Sequence, residues 1–205
     1  IFFYYVIIFV LLTIIICKLF FSENNHTPSN ISINIDKLKT GDLLFIRYDN
    51  SLGYFMRLWS MCPWTHIAMV YRSPNDKLYI METANYRNKK GVLFLEMKDW
   101  LKLNKKCAIS VMQLQTPENF NRDILLENFK KLTDKKLDTF SINWFRLLSE
   151  QKYSSIKNQE NITCYELIVH LLQESNIVKK KLSPSSYFPR DIIERKLPLI
   201  KNFHY

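Results

Sequence analysis

Cys164 is the residue whose type and setting first suggest chemistry. It opens the stretch Thr163-Cys164-Tyr165-Glu166-Leu167-Ile168-Val169-His170-Leu171-Leu172. Thr163 and Glu166 have the T-x-x-E spacing of a capping box, which makes Thr163 the N-cap and Cys164 the first helical residue. Leu167, Ile168, Leu171 and Leu172 follow on one helical stripe, so the thiol shares the face turned toward a core. There it meets unpaired N–H groups and the positive end of the helix dipole, which favour a thiolate. A buried structural cysteine would suit the same position. The stretch alone supports both readings, and a base elsewhere in the chain has to decide between them.

His66 supplies the candidate base. It opens the apolar strand His66-Ile67-Ala68-Met69-Val70-Tyr71, which turns over Arg72 to Asp76 and returns along Lys77 to Thr83. A hairpin centred on Pro74 sets Tyr71 against Lys77, Val70 against Leu78, Ala68 against Ile80 and His66 against Glu82. Opposed residues project to the same side with Cβ atoms about 5 Å apart. An imidazole and a carboxylate then meet on a face otherwise lined by Ala68, Val70, Leu78 and Ile80. A slip of one residue would undo this pairing. The glutamate can orient and charge the histidine. Both faces of the hairpin are apolar, which places it centrally in its sheet.

Other elements must frame these two. Leu43 to Arg47 reads as a strand after a turn at Gly41-Asp42, and Leu52 to Met61 as an amphipathic helix. Gly91 to Met97 and Ala108 to Leu114 read as strands, with a short amphipathic turn over Lys98 to Leu103. Pro117 to Lys131 reads as a helix, Leu137 to Leu148 as a mixed aromatic stretch and Gln151 to Glu160 as a polar loop leading to Thr163. Tyr187 to Ile193 turns into a last short helix. Strands come first and helices after, which predicts an α+β fold with the cysteine helix packed on an antiparallel sheet.

The chain has 205 residues, 47% hydrophobic, enough to pack a core. Lys plus Arg is 29 against 19 Asp plus Glu, a net +10 spread over short clusters such as Arg87 to Lys90 and Lys130 to Lys136. Such clusters read as solvated faces, and no zinc-finger, P-loop or dinucleotide pattern accompanies them. No specific nucleic-acid partner, metal or cofactor is therefore expected. Outside the apolar N-terminus stand Cys62, Cys107 and Cys164, an odd number that argues against a disulfide framework and for a reducing compartment.

Residues 1–21 are apolar or aromatic except for Thr13 and Lys18, and lack the features of a cleaved secretory signal. They predict an N-terminal transmembrane helix that anchors the protein as a single-pass membrane protein. Residues 22–37 read as a polar linker and residues 38–205 as the folded domain. Sequons at Asn25, Asn30 and Asn161 would matter only in an exported domain. A glycan at Asn161 would stand beside Cys164, which points to the cytosol or a virion interior for the domain.

Gly41-Asp42-Leu43-Leu44-Phe45, Thr65-His66-Ile67-Ala68-Met69-Val70-Tyr71, Glu82, Gly91-Val92 and Cys164-Tyr165-Glu166-Leu167-Ile168 together resemble the circularly permuted, papain-like NlpC-type cysteine hydrolases. That family includes bacterial lipoproteins and a group in poxviruses and other large DNA viruses. The match runs from about Leu38 to Pro189, with histidine before cysteine as in the permuted members. The serine that often follows the family cysteine is Tyr165 here, so substrate preference is not carried over. The resemblance implies Cys164 as nucleophile, His66 as general base and acid, and Glu82 as orienting acid. Trp64 and Tyr165 flank the reacting pair as candidate substrate-binding residues. It implies a thiol hydrolase that cleaves a peptide or lipid-linked amide. A lipid acyl hydrolase or acyltransferase is the alternative activity. A structural membrane protein of a virion, contacting other virion proteins, is the alternative without catalysis.

Overall fold

The computed structural model describes residues 4, 5, 8, 10–12, 33–60, 62–116, 120–137, 160–180, 183–187 and 189–199. The chain divides into two compact units, Ile1–Ser32 and Ile33–Tyr205.

In the first unit the described residues are helical, and Tyr4, Tyr5, Leu11 and Leu12 are exposed. The expected transmembrane helix is not borne out. Among the described residues no helix is long and apolar enough to cross a membrane. The localisation as a single-pass membrane protein anchored at its N-terminus falls with it.

The second unit is α+β, as its order of strands and helices implied. Its sheet is antiparallel and five-stranded: β1 (Leu43–Arg47), β2 (His66–Arg72), β3 (Leu78–Tyr86), β4 (Lys89–Glu96) and β5 (Ala108–Met112), in the order β4-β3-β2-β1-β5. Helix α1 (Ser51–Ser60) joins β1 to β2, and α2 (Met97–Leu103) joins β4 to β5. Then follow α3 (Arg122–Lys130), the short parallel pair β6 (Lys136–Leu137) and β7 (Asn161–Ile162), α4 (Cys164–Glu174) and α5 (Pro189–Ile193). Helix α3 begins later than Pro117 because the Asn121 side chain caps it, accepting from the N–H groups of Asp123 and Ile124. The expected stretches Leu137 to Leu148 and Gln151 to Glu160 lie almost wholly outside the described residues.

The sheet is buried on both faces, so β1 to β3 read as nearly unbroken apolar runs. Leu43, Phe45, Ile67, Met69 and Met81 pack with α4 on one face. Leu44, Ile46, Ala68, Val70 and Ile80 pack with Trp100 of α2 on the other. Leu167, Ile168 and Leu171 are fully enclosed, and such side chains each contribute about 1.5–3 kcal/mol. Gly91 has φ +100°, and a Cβ there would lie 2.7 Å from the Lys135 carbonyl, so only glycine lets β4 approach β6.

Two boundaries differ from the sequence reading. Ile33–Lys37, read as linker, lies in the folded unit, where Arg72 donates to the carbonyls of Ile35, Asp36 and Leu38. The β2–β3 hairpin also pairs two residues out from the expected register. Val70 opposes Ile80 and Tyr71 opposes Tyr79, because the turn takes in Lys77, with Asp76 at φ 62°.

Candidate active site

The start of β2, the middle of β3 and the start of α4 meet beside the end of β1. Thr65 fixes the entry to β2, where its N–H and hydroxyl both donate to the Ile46 carbonyl (2.9 and 3.0 Å) and its hydroxyl accepts from Tyr48 N–H. His66 is thereby held opposite Ile46. Glu82, fully buried on β3, accepts from His66 Nε2–H at 2.8 Å. The two-residue register shift makes this pair diagonal rather than directly opposed. Because strand side chains alternate with period two, the shift keeps both on one face and the contact survives.

Cys164 stands at the first position of α4, half-buried. The capping box forms as expected: Thr163 Oγ1 accepts from Glu166 N–H (3.3 Å), and a Glu166 carboxylate oxygen accepts from Thr163 N–H (2.8 Å). Cys164 lies near enough to His66 to act on its charge, and Glu82 bonds the same ring. Burial alone would lower the His66 pKa. The charges and hydrogen bonds of Cys164 and Glu82 outweigh it and push the pKa up to about 10. Glu82 as a carboxylate only accepts, so it takes Nε2–H and leaves Nδ1 to exchange a proton with the thiol. Burial pushes Cys62 up to about 11, and burial with the Asp49 charge raises Cys107. All three cysteines are free.

Cys164 and His66 line a cavity of about 410 Å³. Trp64 and Tyr165, the candidate substrate-binding residues, line it too. His170 is buried on α4 and does not line it, and His26 and His204 lie outside the described residues.

No protein-family model matches the chain, and no curated protein matches it. A search of solved structures finds a protein described as the metalloprotein yiiX, DUF1105, from Escherichia coli O157:H7. It is 18% identical, with a TM-score of 0.47, over 78% of this chain and 85% of that one. A likeness at that level carries no argument about this site.

The geometry adds what the sequence reading missed. Tyr86 Oη donates to Glu82 Oε1 at 2.8 Å, and Asn104 Nδ2 donates to Tyr86 Oη at 3.0 Å. Tyr48 Oη donates to Asn104 Oδ1 at 3.2 Å, and its ring lies 5.9 Å from that of His66. Tyr86 carried a signal in the sequence: on a strand, four residues beyond Glu82, it must share the glutamate's face. Burial, then the Glu82 charge, raises the pKa of both tyrosines, so both remain protonated donors. At the helix start, Thr163 accepts from the N–H groups of Glu166 and Leu167, whereas the Cys164 N–H has no acceptor within its helix. Among the described residues no group of three or more His, Cys, Asp or Glu is placed to hold a metal.

Proposed function

We propose that this chain is a cysteine hydrolase of the permuted papain-like, NlpC-type kind, cleaving an amide in a peptide or lipid-linked substrate. The carrying observation is a His66–Glu82 pair whose imidazole lines one cavity together with Cys164. Cys164 passes its proton to Nδ1 and attacks the carbonyl carbon as thiolate, and the π electrons move to oxygen. The Cys164 N–H at the helix start donates to that oxyanion, a type of contact worth about 3 kcal/mol in comparable sites. Collapse breaks the C–N bond, and the departing nitrogen takes the proton from His66. Water, deprotonated by His66, then attacks the thioester, releases the acid and restores the thiol. Glu82 stabilises the imidazolium throughout and holds its tautomer.

Alkylation by iodoacetamide at neutral pH, read by peptide mass spectrometry, tests this without a known substrate. Cys164 is expected to react at least tenfold faster than Cys107, and H66A to abolish the difference. Equal rates for Cys164 and Cys107 in the wild-type protein would sink the reading. C164S should then lose all turnover of any amide substrate found by screening.

A further inference from the structure

We propose that Asn104 is a positioning residue for this site, the fixed point of a hydrogen-bonded bracket through Tyr86 and Tyr48 that holds Glu82 and so sets the tautomer of His66. The inference rests on the cysteine-hydrolase reading and extends it to Tyr48, Tyr86 and Asn104, which share the cavity wall with His66 and Cys164.

The argument is a count of donors. Asn104 is 1% exposed and is the C-cap of α2. Its amide nitrogen has two hydrogens. One goes to the Trp100 carbonyl (3.0 Å) and the other to Tyr86 Oη (3.0 Å). Its oxygen accepts from Tyr48 Oη (3.2 Å). Flipping the amide would set oxygen against the Trp100 carbonyl, so the orientation is fixed. Tyr86, accepting from Asn104, has its one hydrogen left for Glu82 Oε1 (2.8 Å). With Oε1 engaged, Oε2 is left for His66 Nε2–H (2.8 Å), so Nδ1 is the ring nitrogen that stays free of Glu82. Trp100, fully buried beneath the sheet, ties the chain to the core. A carboxylate buried without such donors would rotate or take up a proton, and either would release the imidazole.

The ionisable groups around His66 are Cys164 on α4, Glu82 and Tyr86 on β3, and Tyr48 after β1. Cys107 lies beyond Tyr48, and Cys62 is coupled to Cys164 from the segment before β2.

The test is the pH profile of Cys164 alkylation by iodoacetamide in the full chain, for wild type, H66A, Y86F and N104L. Fold content is followed by circular dichroism. The wild-type midpoint should lie lowest and that of H66A highest. Y86F and N104L should fall between, about tenfold slower than wild type below the midpoint, a shift of about one pH unit. A role confined to fold stability would not move this profile. Y86F deletes a single oxygen and keeps its ring, so it carries the test if N104L loses structure. A wild-type profile in Y86F overturns the bracket alone. Coincident profiles for wild type and H66A overturn the hydrolase reading, and the bracket with it.

Discussion

A histidine enclosed between a thiol and a carboxylate is stable only if its charge is matched on both sides, because burial by itself opposes the imidazolium. His66 has both partners, and its pKa is raised to about 10 from an ordinary 6.5. A raised pKa means the folded state holds the proton more tightly than the unfolded chain. The resulting stabilisation is full below pH 6.5 and is lost as pH rises through about 10. The difference in urea midpoint between wild type and H66Q is therefore expected to be largest below pH 6.5 and to shrink across that window. A difference independent of pH would show that the imidazole is held by packing and not by charge. The same residues show what the sequence reveals. His66 and Glu82 could be brought together without knowing the true turn, since an error of two residues preserves strand parity. Tyr48, Tyr86 and Asn104 could not be assembled in this way. They come from three separate segments, and only the closed sheet brings their polar atoms within reach.

Among the elements, α4 was the most legible. Its cap is local, its stripe has helical period, and both are satisfied within a few residues. Thr163 is buried at 4% exposure and both donates to and accepts from Glu166. T163A is expected to lower stability by about 1 kcal/mol in urea unfolding. It should also slow Cys164 alkylation, because the first turn that presents the thiol frays. T163S keeps the hydroxyl and should stay close to wild type on both measures. A T163A protein with wild-type stability would mean that the sheet, not the cap, holds the helix start. The hairpin β2–β3 was legible as two strands but not in register. Its turn residues fix the pairing, and Arg72 to Lys77 admit more than one loop.

For the molecule as a whole, the order of strands and helices gave the α+β class and the apolar hairpin faces its central place in the sheet, while the segment ahead of β1 resisted prediction. The polar segment ahead of β1 looks like linker because it offers the core almost no side chains. What holds it is a contact that no local pattern encodes. Arg72, at the end of β2, donates to the backbone carbonyls of Leu38 (2.9 Å), Asp36 (3.0 Å) and Ile35 (3.2 Å). Asp76 pairs with the same guanidinium, so the arginine is braced from the hairpin side as well. Charged donors on backbone oxygens are worth more than neutral ones, though partial exposure discounts them here. Two fragments separate the alternatives, one spanning Ile33 to Tyr205 and the other Leu38 to Tyr205. The longer fragment is expected to be more stable in urea by about 1 kcal/mol, because only it gives Arg72 all three acceptors. R72M in the longer fragment should remove that advantage, whereas in the shorter one it should cost less. Equal midpoints for the two fragments would show that Ile33–Lys37 only lies against the domain, and would move its working boundary back to Leu38.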